Sequence, residues 1–446
     1  MGDENGGDRK ARRDPTAGVD RRRFLGASAV GLAAMTVGRK ALAAQPGTRE
    51  EHAGDQLPES STPAGGSMSM PEAQVAAKPT SGTTGRAMAM DHAMPPWPPM
   101  PKDAPVDRPG AYDEHEIRVQ LVNHELVPGV TIHSLGFNGK IPGPVLRAKE
   151  GRWQKVTFLN ETPLMHTIHW HGFTVPWAMD GVPYVTQPPV HPNQRFVYRF
   201  RAEPAGTHFY HCHWGTPLHM HSGMYGAFIV ESDDDPIRRA FPYTRDYVLM
   251  LSAVDTEFLR EELNAMLRRM PKRMKLMREG RLDDRTQAHF KDVGALKAAV
   301  AGGYIPPYVR SRRSHARLPE PNFFTINGQC YPATAPIGIK PGETIRVRMA
   351  NPGFLVHHMH LHGHDFYQVS QDGAPLPKPI RMNTVAVGPG QTVDIVIQGT
   401  NPGIWTFHDH DTRRVTNNGL YPGGMLTVLA YEGFDGGYAP SVALDE

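Results

Sequence analysis

The sequence predicts an all-β protein of two β-sandwich domains joined by a partly helical connector. Three observations lead there. Gly and Pro number 45 and 42 among 446 residues, and both mark turns while weakening helix interiors. Short alternating apolar runs lie between those turns, as sandwich strands do. One pattern also occurs twice, dividing the length into two domains of ordinary size. Composition excludes other classes. The formal net charge is +3 and no basic block stands in the folded part, so no nucleic-acid partner is expected. Two cysteines, Cys212 and Cys330, rule out a disulfide framework. The unusual count is His, 23 in all, most of them in tight clusters.

Residues 1–44 read as an export signal. An Arg-rich start ends in Arg21-Arg22-Arg23-Phe24-Leu25, a small apolar stretch follows to Val37, and Ala41-Leu42-Ala43-Ala44 has the form of a cleavage site. The paired Arg before x-Phe-Leu resembles a twin-arginine signal, which implies a periplasmic, extracellular or cell-surface destination. The apolar run is shorter than the roughly 20 residues a bilayer span needs, and no other segment is longer, so no stable membrane span is expected. Residues 45–110 are rich in Pro, Gly, Ser, Ala and Met and bury too little apolar surface to order themselves, which predicts a flexible linker. Met68, Met70, Met88, Met90, His92, Met94 and Met100 fall there. Soft thioethers suit Cu(I), so this stretch reads either as a copper-collecting tail or as plain linker.

The duplication starts near Tyr112. The first copy runs Phe137-Asn138-Gly139, Glu150-Gly151, Val156-Thr157-Phe158, Asn160 and HTIHWHGF at 166–173. The second runs Ile326-Asn327-Gly328, Pro341-Gly342-Glu343, Ile345-Arg346-Val347, Asn351 and HHMHLHGHDF at 357–366. Each then carries a second His-x-His on an aromatic-rich strand, HFYHCHWG around Cys212 and WTFHDHD around Asp409. The domains are placed at 111–235 and 323–435, with a connector at 236–322 and a tail at 436–446. Within the connector, Asp255–Ala301 reads as helix. Met266, Met270, Met274 and Met277 recur at helical spacing, which reads first as a packing face and otherwise as a Cu(I) docking surface. Pro271 is expected to kink or end that helix.

Side chains i and i+2 of a strand share a face, while i+1 points to the other. His-x-His therefore aims two imidazoles at one place. Four such pairs occur: His169/His171, His211/His213, His360/His362 and His408/His410. Their convergence would surround one space with imidazole, which suits Cu, Zn, Fe and Ni alike. Cys212, between His211 and His213, must point away from them toward a second site. A blue-copper centre needs two His, one Cys and a weak axial ligand. His166, Cys212, His219 and Met224 supply that set. Cys212 would then bind one metal while its chain neighbours bind others, giving a short through-bond electron path.

FNGKIPGPVLRAKEG, HWHGF, MDGVPYVTQPPV, HCHWGTPLHMHSGMYG and HMHLHGH together resemble the multicopper oxidases, laccase-like in the broad sense, over about residues 111–435. The resemblance implies cupredoxin-like Greek-key domains. It implies a type 1 copper at His166, Cys212, His219 and Met224, and a trinuclear cluster of one type 2 and two type 3 coppers at the eight paired His. The implied reaction oxidises a small-molecule reductant (a phenol, an aromatic amine or Cu(I)) in one-electron steps and reduces O2 to water. The thiolate motif stands in the first domain, and Asp409 takes its place in the second. No counterpart of His219 or Met224 is expected there, which leaves His357 as a relic of the duplication. This arrangement is similar to two-domain laccases with type 1 copper in domain 1, which implies a homotrimer with clusters between subunits. The stretch Trp214–Leu218 lengthens the loop between Cys212 and His219, as in copper nitrite reductases.

Asp180 reads either as a proton relay near the cluster or as a turn residue before Gly181. His221 reads as facing substrate or solvent, Asp409 and Asp411 as partners of ligand imidazoles, and Cys330 as an incidental thiol. Two other functions compete with the oxidase. A copper nitrite reductase typically lacks a His after the ligand Cys, where His213 stands here. A non-catalytic copper-binding or resistance protein would explain the Met-rich linker.

Overall fold

The computed structural model describes residues 109–183, 185–279 and 318–436. The signal, nearly all of the linker with its Met residues, residues 280–317 and the end of the tail lie outside the described residues. In chain order the first part holds β1 (Asp113–Val127), β2 (Val130–Phe137), β3 (Leu146–Lys149), β4 (Trp153–Asn160), β5 (Ile168–His171), β6 (Arg195–Arg201), β7 (Gly206–Cys212), α1 (Thr216–His221) and β8 (Tyr225–Glu231). Then come α2 (Pro236–Ala240), β9 (Arg245–Val254) and α3 (Thr256–Arg278). The last part holds β10 (Phe323–Ile326), β11 (Ile337–Ile339), β12 (Thr344–Ala350), β13 (His357–Leu361), β14 (Phe366–Gln371), β15 (Ala374–Met382), β16 (Thr384–Val387), β17 (Thr392–Gln398), β18 (Ile404–Asp409) and β19 (Leu426–Tyr431).

Four sheets make two sandwiches. The first stacks β2-β1-β4-β6 on β3-β8-β7-β5; the second stacks β10-β9-β12-β17-β14-β15 on β11-β19-β18-β13-β16. The duplication extends to strand direction. β1 runs parallel to β4 as β9 does to β12, and β3 runs parallel to β8 as β11 does to β19. β9 is therefore the opening strand of the second sandwich. The span 236–322 is thus not all connector, because a strand that closes only by pairing with a distant β12 leaves no local trace as a domain start.

Each sandwich encloses its own apolar core. Trp170 packs against Tyr198, Phe200 and Phe228 in the first, with ring centroids 4.6–6.3 Å apart. Thr207 Oγ1 donates to Asp394 at 2.9 Å, and Thr392 Oγ1 donates to the Thr207 carbonyl at 2.9 Å, tying β7 to β17 across the domain boundary. α3 lies on the first sandwich. Met270 is buried in that core and Met266 packs on it, so these two methionines form a packing face; the side chains of Met274 and Met277 lie outside the described residues. The helix does not end at Pro271 but runs on to Arg278. Among the described residues no helix is long and apolar enough to cross a membrane.

Candidate metal centres

β5 and β7 are antiparallel neighbours, with Ile168 opposite Cys212, His169 opposite His211 and Trp170 opposite Tyr210. Alternation then sorts the residues. Ile168, Trp170, Tyr210 and Cys212 enter the core, while His169, His171 and His211 gather on the other face, their ligand atoms within 4.8 Å of one another. His213 joins them, its ring 5.5 Å from that of His169.

On the core face, Cys212 Sγ lies 3.7 Å from His166 Nδ1 and 3.4 Å from His219 Nδ1. His166 enters from the loop before β5 and His219 from α1, which the stretch after Cys212 forms. All three are fully buried, as is Met224 at the head of β8. Burial pushes the Cys212 thiol up to about 12 and the His219 imidazole down to about 3; burial, then His219, holds His166 well below its ordinary value. The pocket therefore offers two neutral imidazole lone pairs beside a thiol that water alone does not ionise at neutral pH. A bound cation removes that proton outright. Two imidazole Nδ1 atoms, one sulfur and a neighbouring thioether residue are the donor chemistry of a blue-copper site, and the residues fit that metal.

The second sandwich repeats the ladder: Met359 stands opposite Asp409 and His360 opposite His408. His360, His362, His408 and His410 form a second ring group, with centroids 5.0–5.9 Å apart. The outer nitrogens are already committed. Nδ1 lies 2.8 Å from the Asp180 carbonyl in His169, 3.0 Å from the Cys212 carbonyl in His211, 2.8 Å from the Asn383 carbonyl in His360 and 2.9 Å from the Asp409 carbonyl in His408. Only an N–H can meet a carbonyl, so each of these rings presents a bare Nε2 to the centre. His362 Nε2 and His408 Nε2 stand 3.0 Å apart, an arrangement that calls for a cation or a proton between them. His362 and His410 are exposed, and none of the ring contacts among the described residues joins this group to the first.

Asp180 follows a 3-10 turn at Trp177–Met179, and its Oδ1 lies 3.2 Å from His169 Nδ1. The carboxylate thus touches the first group rather than only shaping a turn. His221 faces neither solvent nor an open site. It is buried, and its Nε2 accepts the Asp255 N–H at 2.9 Å. Cys330 is a buried core thiol. Asp409 bonds His357 and Arg414, and Asp411 pairs with Arg413 and Arg414; neither side chain holds one of the eight paired imidazoles.

Two features escaped sequence reasoning. Thr162 Oγ1 lies 2.7 Å from His166 Nε2 and fixes that ring. The second sandwich also does keep a counterpart of Met224, which corrects the expectation of none. The Asp409 N–H donates to the Met425 carbonyl at 3.0 Å, as that of Cys212 does to Met224 at 3.1 Å. Ser222-Gly223-Met224 and Gly423-Gly424-Met425 carried the trace, hidden by a longer loop after Asp409.

Multicopper oxidase family models match residues 118–235 and 304–421. Copper resistance protein A of Escherichia coli is 28% identical over 270 residues, 59% of this chain and 42% of that protein. The chain thus spans less than half the length of this and other copper resistance proteins that it matches. Among solved structures, the blue copper oxidase of Nitrosomonas europaea is 33% identical, covers 73% of this chain and 89% of its own, and has a TM-score of 0.58. Multicopper oxidase mgLAC is 30% identical, covers 74% and 89%, and also reaches 0.58. The two sandwiches are cupredoxin-like domains, copper is the metal that their family implies, and with sequence, fold and donor sets in agreement the chain belongs to the multicopper oxidase family.

Proposed function

We propose that the chain is an exported copper oxidase of the laccase-like kind, which oxidises a reducing substrate in one-electron steps and passes the electrons to O2. The carrying observation is the placement of Cys212: its sulfur faces His166 and His219, while His211 and His213, one peptide away on either side, belong to the other face.

His166, Cys212, His219 and Met224 would hold a type 1 copper. The eight paired His would hold the trinuclear cluster, for about four coppers per chain. Copper so bound supplies one-electron chemistry at the first site and an acceptor site for O2 at the second. The main chain from Cys212 to either neighbour is the covalent bridge between the two. Carbonyls on Nδ1 hold four of the imidazoles in the metal-ready tautomer. Asp180, with Oδ1 at 3.2 Å from His169 Nδ1, would pass protons toward the site where one O2 takes up four electrons and four protons to give two waters.

Of the four His of the second sandwich, His362 and His410 are exposed and His360 and His408 half-buried, and among the described residues no ring contact joins them to a His of the first. This supports a homotrimer in which each cluster takes one group from each of two neighbouring subunits. Similarity to copper resistance proteins favours Cu(I) among the donors; phenols and aromatic amines are alternatives for the same thiolate site. The Arg-rich leader supports export by the twin-arginine route.

Oxygen uptake by copper-loaded protein, with Cu(I) and with a phenol as donor, tests the reading. The expected result is four donor electrons consumed per O2 in a trimeric species. Fully metallated protein that consumes no O2 with either donor would favour a storage protein. Donor oxidation that depends on nitrite would favour the reductase.

A further inference from the structure

The pocket around Asp409 repeats the pocket around Cys212 in its main chain. Cys212 N–H donates to the Met224 carbonyl at 3.1 Å and Met224 N–H to the His219 carbonyl at 3.1 Å. Asp409 N–H donates to the Met425 carbonyl at 3.0 Å and Met425 N–H to the Arg414 carbonyl at 2.9 Å. Asn160 Nδ2 donates to the carbonyls of Leu164 and Val190, and Asn351 Nδ2 to those of Leu355 and Val387, which sets His166 and His357 at the same point of their sandwiches. His357, Asp409, Arg414 and Met425 therefore stand where His166, Cys212, His219 and Met224 stand. His357, Asp409 and Met425 are fully buried.

Their charges differ in one respect. The first pocket has donors and no cation. The second carries its own: Arg414 Nη1 lies 3.1 Å from Asp409 Oδ2, and His357 Nδ1 lies 2.7 Å from the same oxygen. His357 thus aims at Asp409 the same nitrogen that His166 aims at Cys212. Arg414 is itself held by the Val356 carbonyl and by Asp411. A buried carboxylate without a counter-charge is strongly destabilising, so the guanidinium is required where it is.

We propose that the second sandwich holds a metal-free counterpart of the thiolate pocket, in which Asp409 stands in for Cys212 and the Arg414 guanidinium for the cation. Through His357 on Asp409 and the Val356 carbonyl on Arg414, this ion pair ties the end of β18 to the start of β13, and so fixes the direction of His408 and His410 on either side of Asp409. The proposal rests on reading the first pocket as a copper site. Native protein binds no copper at Asp409, and restoring the missing donors reopens the site.

Two full-length, copper-loaded proteins test it. Asp409→Cys combined with Arg414→His should take up about one further copper per chain and gain a second thiolate-to-copper absorption. Arg414→Met removes the cation and its bonds to Asp411 and the Val356 carbonyl while keeping Asp409. It should lose cluster copper to a chelator about tenfold faster or more, with the thiolate absorption unchanged, and Arg414→Lys should restore most of the retention. A folded double variant with unaltered copper content and spectrum overturns the proposal. So does an Arg414→Met chain that retains cluster copper like the parent, and that arm decides if the double variant does not fold. Parent protein without any thiolate absorption would instead sink the reading of the first pocket.

Discussion

Thr162 Oγ1 holds His166 Nε2 at 2.7 Å, and so turns the ring's other nitrogen toward Cys212. The second sandwich has Gly353 at the matching place, its N–H on Asn351 Oδ1 as that of Thr162 is on Asn160 Oδ1. There His357 Nε2 has no partner. The hydroxyl therefore accompanies the pocket that needs a metal and is missing from the one that does not. Thr162→Val keeps the shape and removes the bond. Copper affinity at Cys212 should fall roughly 10- to 100-fold, the usual cost of losing a group that orients a ligand. A competition titration against a chelator, followed at the thiolate absorption, reads it; an unchanged affinity would refute the orienting role.

Asp180 meets His169 twice, through its carbonyl at 2.8 Å and its carboxylate at 3.2 Å. Only the second contact changes in Asp180→Asn. Copper content should stay the same, while oxygen-linked turnover falls on the order of 10²-fold, as for loss of a positioned acid. Reduction of the thiolate site by donor in the absence of O2 should keep its rate. Equal slowing of both steps would place Asp180 outside proton transfer.

Gly181, next in the chain, has φ +80°, and a Cβ there would sit 1.8 Å from the Ile168 carbonyl oxygen. Only glycine lets the turn reach β5 this closely. Gly181→Ala should destabilise the fold by more than about 1 kcal/mol, measured by denaturant unfolding of metal-free protein. Parent-like stability would mean that the turn can move away from β5 without cost.

Glu343 is held down to about 2, first by hydrogen bonds from Arg245, against burial, and with help from Thr244 and the Lys340 N–H. Its ordinary value is 4.5. A carboxyl lowered by folding stabilises fully above its unfolded value and loses that contribution as pH falls toward the folded one. The gap in Tm between parent and Glu343→Gln, both metal-free, should be widest above about pH 4.5 and shrink toward about pH 2. A gap constant across that window would show that the charge is not what matters.

Strand alternation made the site legible in the sequence. His169/His171 around Trp170, and His211/His213 around Cys212, sort onto two faces by a period of two, and the ladder between β5 and β7 follows that sorting. Chemistry that depends on distant partners was not legible. Thr162 is one polar residue in a loop until His166 folds back on it. Arg414 is the wrong residue type for a copper ligand, and a longer loop separates Asp409 from Met425, so the second pocket emerged only from main-chain hydrogen bonds. β9 was hidden because parallel pairing with β12 is non-local. The methionines of α3 had a helical period, which a packing face and a metal surface share; burial of Met270 separated the two.

The most direct test is the visible spectrum and copper content of Cys212→Ser beside the parent. The thiolate absorption and donor oxidation should vanish and copper content should drop by about one per chain, with the His-bound copper retained. A blue, active Cys212→Ser protein, or a parent with no thiolate absorption when fully loaded, would contradict the account.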